Sequence, residues 1–208
     1  YEAAITHKKN FFAARSNYLF AMNYMDDFSA EYRLEKAKEF GLNVSRNVSR
    51  KFSAWNVNAS SELVRVGFVS GDFRNHPVGF FLESVLTNLN KKLDIIGYTN
   101  NQFEDELTHR LKKNFRIFRS LVGLNDEVAA NQIHADRVQI LIDLSGHTAL
   151  NRLPVFAYKP APVQASWLGY FATTGVAEID FLIGDAQVIP HGEEMHFSEK
   201  IKRLPDAY

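Results

Sequence analysis

Two ionisable side chains stand four residues apart in the segment SGDFRNHP, residues 70–77. A hydrogen bond between Asp72 and His76 would fix the imidazole tautomer and raise its basicity. Pro77 suits the first turn of a helix, whose backbone N–H groups and dipole can face an anion. The pattern predicts an acid–base pair beside an anionic ligand; the alternative is a capped helix start with a surface histidine.

A polar glycine turn, SGHT, occupies residues 145–148, and Arg152 follows one helical turn later. Glycine brings the backbone close to a neighbour, so Gly146 and Thr148 could build a backbone-rich wall against a sugar or a phosphate. The alternative is a glycine turn with a capping threonine, which would need no ligand.

A third group of chemistry-bearing residues lies in the segment WLGYFATTG, residues 167–175. Gly169 would let a ligand approach the backbone, and the hydroxyl of Thr173 could donate a hydrogen bond. The rings of Tyr170 and Phe171 could stack on a sugar or a base. The alternative is a strand that simply ends in an aromatic turn.

Other site types have weaker support in the sequence. His191 and His196 are five residues apart, whereas two zinc ligands on one helix face are four apart, and Pro190 indicates a loop. We therefore expect no metal. The sequence has no G-x-G-x-x-G after its first strand and no G-x-x-x-x-G-K-[ST], so dinucleotide dehydrogenases and P-loop enzymes lose their main support.

The elements that must position these residues alternate along the chain. Six apolar runs predict strands, and amphipathic segments between them predict helices; the strands begin near residues 63, 93, 115, 138, 163 and 179. Such alternation is typical of an α/β fold with a Rossmann-like, doubly wound, mostly parallel sheet. Ligands bind at the carboxyl ends of the strands in such sheets, and all three polar segments fall there.

A helical segment precedes the predicted sheet. Residues 1–40 fit two helices, the second capped by Asp26 or Ser29 and ended by Gly41. Residues 42–61 are rich in Asn and Ser, which is typical of a linker on a surface.

Composition excludes several classes of protein. The 208 residues carry 24 Lys+Arg and 24 Asp+Glu, so the net charge of zero gives no sign of a nucleic-acid partner. The chain has no cysteine, which excludes disulfides, thiolate metal sites and a cysteine nucleophile. Without a membrane-length apolar run or a signal peptide, we expect a cytoplasmic protein with no membrane partner. Because it begins at Tyr1 and stops at RLPDAY, we expect a fragment.

Taken together, the motifs resemble a known family. The segments V-R-V-G-F-V-S-G-D-F-x-x-H-P, I-x-x-D-x-x-x-I-L-I-D-L-S-G-H-T, R-x-x-x-F-A-x-K-P-A-P-V-Q-A-S-W-L-G-Y and T-T-G occur in the order found in protein O-linked N-acetylglucosamine transferases and SPINDLY-like proteins. The resemblance implies a two-lobe, GT-B-type glycosyltransferase, with residues 61–208 as its amino-terminal lobe. Residues 1–60 would then be the helical linker to upstream repeats.

The resemblance also implies an activity. An inverting enzyme would transfer N-acetylglucosamine or a related sugar from a UDP-sugar to a protein Ser/Thr, without a metal cofactor. The fragment alone would be inactive, because the missing carboxyl-terminal lobe supplies most nucleotide contacts. A non-catalytic, Rossmann-like protein-interaction module remains the alternative. By resemblance the catalytic residues are Asp72 and His76, and Arg152, Leu168, Gly169 and Tyr170 bind the substrate. From their positions in the loops, we also expect Pro77, Gly146, Thr148 and Thr173 to bind it.

Overall fold

A parallel β-sheet forms the centre of the protein. The computed structural model describes residues 1–8, 10–56, 63–89 and 92–206. Within these residues it has seven strands: β1 Val64–Ser70, β2 Leu93–Thr99, β3 Ile117–Ser120, β4 Ile140–Asp143, β5 Val163–Trp167, β6 Phe181–Gly184 and β7 Lys200–Arg203. Their order is β3-β2-β1-β4-β5-β6-β7, all parallel, which confirms the predicted doubly wound sheet.

Helices cover both faces of this sheet. Among the described residues they are α1 Glu2–His7, α2 Phe12–Met22, α3 Ala30–Arg46, α4 Pro77–Asn88, α5 Glu106–Lys112, α6 Asp126–Ala135 and α7 Leu153–Phe156, with a 3₁₀ turn at Glu194–His196. Two predicted caps are present: Ser29 Oγ accepts from Tyr32 N–H at 3.2 Å, and Asn125 Oδ1 accepts from Val128 N–H at 2.8 Å. Each satisfies a backbone donor that the helix itself leaves free.

The strand order reverses at β1, and this decides where a ligand can bind. β1 pairs with β2 on one side and with β4 on the other, with Val66 opposite both Ile95 and Ile140. The connections from these strands leave toward opposite faces, so a crevice opens at their carboxyl ends.

Two hydrophobic clusters fill the space between sheet and helices. One contains Leu19 of α2 and Phe40 of α3 together with Tyr98 and Leu141 of the sheet. The amino-terminal helices therefore pack in the same core as the strands. Whether residues 1–60 and 61–208 are separate domains stays a prediction. Within the described part of the chain, no helix is long and apolar enough to span a membrane.

Two elements differ from the sequence-based expectation. The helix predicted to stop at Gly41 continues to Arg46, so the predicted linker begins later, and its residues 57–61 lie outside the described ones. Gly41 serves packing instead: a Cβ there would lie within 3.0 Å of the carbonyl of Gly175. The strand β7 was not predicted, because its sequence KIKR has one apolar residue among three basic ones.

Candidate functional site

Four loops meet at the carboxyl edge of the sheet. We name three of them the β1 loop (residues 71–76), the β4 loop (residues 144–152) and the β5 loop (residues 168–175). Asn100 and Asn101, after β2, hold two of these together: Asn101 Nδ2 donates to the Gly71 carbonyl at 3.1 Å, and Asn100 Nδ2 donates to the Leu150 carbonyl at 2.9 Å. The predicted site segments are thus brought to one edge.

Asp72 organises the β1 loop. Its backbone N–H donates to Ser70 Oγ at 2.9 Å, and its carboxylate, which is buried, accepts from Arg74 Nη2 at 3.2 Å. Charge pairing of this kind compensates part of the cost of burying the carboxylate. The Arg74 side chain stays 40% exposed, so its guanidinium remains accessible to a ligand.

His76 caps helix α4 and leaves its second ring nitrogen toward solvent. Its Nδ1 accepts from the Val78 N–H at 3.3 Å and lies 3.8 Å from Asp72 Oδ2, too far for a hydrogen bond. The expected Asp72–His76 hydrogen bond is therefore absent, because the helix start occupies Nδ1. In the neutral ring the hydrogen then sits on Nε2, and the side chain is 38% exposed. Pro77 is the first residue of α4, as predicted.

The β4 loop is built around a buried carboxylate. Asp143 accepts hydrogen bonds from the backbone N–H groups of Ser145 at 3.1 Å and Gly146 at 2.8 Å, and from Ser166 Oγ at 2.8 Å. Burial raises the pKa of Asp143 to about 6. The Thr148 hydroxyl donates to the Ser145 carbonyl at 2.7 Å, so it closes the turn in the manner of the capping alternative.

His147 lies in the core rather than against a ligand. Its Nε2 donates to the Thr174 carbonyl at 2.9 Å, since that oxygen can only accept, and its Nδ1 accepts from Ser16 Oγ at 2.7 Å. Burial lowers the pKa of His147 to about 4, so the ring is neutral near pH 7. The imidazole therefore ties helix α2 to the β4 and β5 loops.

Arg152 uses its guanidinium to join loops. Nη1 donates to the Leu121 carbonyl at 3.2 Å, and Nη2 donates to the Leu124 carbonyl at 3.0 Å and pairs with Asp126 Oδ1 at 3.0 Å. The side chain is 11% exposed. In the structure Arg152 fixes the connections after β2, through Asn100, and after β3, through Leu121 and Leu124. Its contact with a substrate stays a prediction.

The β5 loop begins with a tight backbone turn. Leu168 has φ +74, and the Gly169 N–H donates to the Trp167 carbonyl at 2.9 Å, which closes a γ-turn. Left-handed backbone at a residue other than glycine is strained, and such strain concentrates at functional sites. A Cβ on Gly169 would lie within 3.0 Å of the Leu144 carbonyl oxygen. Gly169 is therefore required by the packing of the neighbouring loop, and its contact with a ligand stays a prediction.

The remaining side chains of the β5 loop point inward. Tyr170 is 4% exposed, and its hydroxyl accepts from Asn23 Nδ2 at 2.8 Å. Its ring faces His147 edge-on at 5.3 Å and sits over Gly146, whose φ is +52. In this structure the Tyr170 ring packs against protein, and its stacking on a ligand stays a prediction; Phe171 keeps 45% of its surface exposed.

Glu199 holds the end of the β5 loop. Its buried carboxylate accepts from Thr173 Oγ1 at 2.7 Å and from the Thr174 N–H at 2.8 Å. The hydroxyl that the sequence assigned to a substrate thus already has an internal partner. Sequence reasoning missed Glu199 and Asn23, since each lies far along the chain from the loop; a polar residue beside an unpredicted strand was the sole signal for Glu199.

The two histidines near residue 190 have different surroundings. His196 Nε2 lies 3.5 Å from Glu193 Oε2, and His191 is exposed. Across the described residues there is no group of three or more side chains suited to hold a metal ion.

Comparison with known proteins places this fold in a family. Residues 38–208 match glycosyl transferase family 41. The chain is 33% identical over 205 residues to a probable UDP-N-acetylglucosamine–peptide N-acetylglucosaminyltransferase SPINDLY of Petunia hybrida, covering 94% of this chain and 22% of that protein. It is 34% identical over 147 residues to a SEC protein of Arabidopsis thaliana, described as the same probable activity, covering 70% of this chain and 15% of that protein.

A solved structure agrees over nearly the whole chain. A mutant of the Thermobaculum terrenum O-GlcNAc transferase superposes with a TM-score of 0.91 at 31% identity, covering 99% of this chain and 40% of that one. The chain thus spans about a fifth of the SPINDLY protein and less than half of the solved transferase. The profile match, the sequence identity and the shared fold together show that this chain belongs to glycosyl transferase family 41.

Proposed function

We propose that this chain is the amino-terminal lobe of an enzyme that transfers N-acetylglucosamine from UDP-N-acetylglucosamine to a Ser or Thr hydroxyl of a protein. The observation that carries the proposal is the agreement with an O-GlcNAc transferase over 99% of the chain. The crevice at the strand reversal, with its strained Leu168 turn and exposed Arg74 and His76, supports it. A second Rossmann-like lobe is the partner that would supply the uridine and diphosphate contacts.

The transfer would be a direct displacement at the anomeric carbon. The acceptor oxygen forms the new bond as the bond to the diphosphate breaks, and UDP leaves with the electron pair. Charge develops on the leaving phosphate, so donors aimed at that oxygen accelerate the step. In the β1 loop, the Nε2–H of His76 and the guanidinium of Arg74 are the groups suited to donate there.

The tautomer of His76 favours positioning over proton abstraction. Its Nδ1 already accepts from the Val78 N–H, so the neutral ring carries its hydrogen on Nε2 and cannot take the acceptor's proton at that atom. In this proposal His76 binds the donor, Asp72 shapes the loop, and the acceptor proton leaves to the departing phosphate or to a group on the other lobe. The reaction is proposed to proceed without a metal ion.

A transfer assay on the full-length protein tests the proposal. UDP-N-acetylglucosamine labelled in the sugar is incubated with Ser/Thr peptides, with and without EDTA. We expect labelled peptide and UDP in equal amounts, and no loss of rate with EDTA. UDP-glucose and UDP-N-acetylgalactosamine serve as matched donors for sugar specificity. Binding of nucleotide without transfer to any peptide would contradict the proposal and favour a non-catalytic interaction module.

A further inference from the structure

A cavity lies directly beside the β5 loop. It has a volume of about 290 Å³ and lies between Asn23, which follows α2, helix α3, Phe171 and residues 188–197. Its wall is mostly apolar, with Leu34 and Phe197 among the lining residues. Arg33 reaches it from α3, and Glu193 and His196 also line it. Pockets of this kind, apolar with few placed polar groups, are typical of specific ligand sites.

Arg33 is poorly compensated by the protein. Its Nη2 donates to the Met25 carbonyl at 2.9 Å, and its Nε is buried without a hydrogen-bond partner. No carboxylate of the described residues lies within 4.0 Å of its guanidinium. A guanidinium has five N–H donors in a fixed planar fork, which matches a carboxylate in bidentate fashion. The unfilled donors therefore favour a ligand that brings its own carboxylate.

The carboxylates near the cavity have a different cation to pair with. Glu193 lies 3.5 Å from Nε2 of His196, and Glu31 lies 4.0 Å from Nδ1 of the same ring. Both therefore face His196 rather than Arg33. The cavity thus combines an apolar wall with one guanidinium, while Glu193 in its lining faces His196 instead. The apolar wall and the guanidinium fit a side chain with a short methylene stem and a terminal carboxylate, such as glutamate.

The position of the cavity beside the β5 loop indicates which molecule would supply such a side chain. The β5 loop forms one wall through Phe171 and Thr173, and the same loop begins with the strained turn at Leu168. Resting on the function proposed above, we propose that the cavity is an acceptor subsite, which binds a glutamate side chain of the protein substrate close to the modified hydroxyl. Arg33 would then be a specificity-determining residue.

Paired acceptor peptides test the subsite. A Ser/Thr peptide set carries a single glutamate at each flanking position in turn, and a matched set carries glutamine there. We expect at least one glutamate peptide to show a KM about tenfold below its glutamine partner, with similar kcat. The variant Arg33→Gln should remove that difference, and Arg33→Glu should reverse it toward a lysine peptide. Lys36→Gln, one turn along α3 and paired with Glu39, is the matched control and should keep the preference.

A binding measurement separates this proposal from the proposed function. The probe is N-acetylglutamate amide, which has neither a free amino group nor an α-carboxylate. It is titrated calorimetrically against the full-length protein and its Arg33→Gln variant, with N-acetylglutamine amide as control. Glutamate-selective binding that depends on Arg33 would support the subsite even if no sugar transfer is observed. Equal binding of the two probes, or equal KM for all glutamate and glutamine peptides in an active enzyme, would overturn it. Thermal unfolding of each variant confirms that it is folded.

Discussion

The β1 loop and the β5 loop leave neighbouring parts of the same sheet edge, yet they use their polar residues in opposite ways. In the β1 loop, Arg74 and His76 keep about two fifths of their side-chain surface exposed. In the β5 loop, the hydroxyls of Tyr170 and Thr173 are bound to Asn23 and Glu199 inside the protein. Both loops have the composition of a ligand site, but the polar side chains of the β5 loop mainly bind other parts of the protein.

The difference teaches that side-chain type at a strand end does not decide its partner. A hydroxyl at the carboxyl edge binds a ligand when no internal acceptor is nearer, and Glu199 supplies such an acceptor to the β5 loop. What the β5 loop offers to a ligand is therefore its backbone at Leu168 and the exposed ring of Phe171. The β1 loop offers side chains. The following predictions test this division.

The largest expected effect is on stability, at Gly169. We expect Gly169→Ala to lower the free energy of unfolding by about 4 kcal/mol or more, because the new Cβ overlaps the buried Leu144 carbonyl and cannot be accommodated by a side-chain shift. Gly123→Ala is the matched control: its φ is +78 but its surroundings are open, so we expect a loss of only about 1 kcal/mol. Urea unfolding measures both. A small loss of stability in Gly169→Ala together with low activity would favour the predicted contact of Gly169 with a ligand.

The next largest effect is on rate, at His76. In the full-length enzyme we expect His76→Asn to lower kcat/KM about 10²–10⁴-fold, the range for losing a well-placed polar group, while the melting temperature stays near that of the parent. Asparagine keeps an acceptor for the Val78 N–H and so preserves the helix cap. His76→Ala should lose activity equally and also about 1 kcal/mol of stability. Wild-type turnover in His76→Asn would leave capping as the whole role of this histidine.

A pH dependence of roughly 3 kcal/mol is expected from His147. Burial lowers its pKa from 6.5 to about 4, so between these pH values the unfolded chain binds a proton that the folded chain does not. Its contribution to stability is full above pH 6.5 and is lost as pH falls toward 4.

The stability difference between the parent and His147→Gln should shrink accordingly on acidification, measured by urea unfolding at half-unit steps. Asp143 acts in the opposite direction, because its pKa is raised to about 6, but it is present in both proteins and cancels in the difference. The exposed His109 provides the control variant, His109→Gln. A difference that does not change with pH would contradict a neutral, buried His147.

The smallest effect is expected at Glu199. Glu199→Gln removes the charge from the hydrogen bonds to Thr173 and Thr174, and we expect a loss of about 2 kcal/mol of stability. Glu193→Gln, on an exposed carboxylate of the same region, should change stability by less than about 0.5 kcal/mol. Equal values for the two variants would show that Glu199 does not hold the β5 loop.

Much of the fold could be predicted from the sequence, because six of the strands are continuous apolar runs between helical patterns. The strand β7 could not be predicted, because KIKR has too few apolar residues for a buried strand. Helix α3 continues past its predicted end because Gly41 is required for close packing. Glycine is typical both of helix ends and of places where two backbone segments approach closely, so the sequence does not distinguish these roles.

The candidate site was predicted as a set of loops but not as a set of contacts. The position of Asp72 and His76 at the sheet edge followed from the strand before them. The internal partners of Tyr170, Thr173 and His147 are more than twenty residues away in sequence, and no local pattern indicates them. The direction in which each of these side chains points could therefore be determined only from the folded structure.

The contact between Gly41 and Gly175 also limits how this protein can be recombined with its relatives. A Cβ on Gly41 would overlap the carbonyl of Gly175, and a Cβ on Gly175 would overlap the carbonyl of Ala37. Because backbone meets backbone, a larger residue at either glycine cannot be rescued by trimming a side chain at the other. A chimera that exchanges helix α3 can therefore keep this β5 loop only if the incoming helix has glycine at position 41, although more than 120 residues separate the two segments in the sequence.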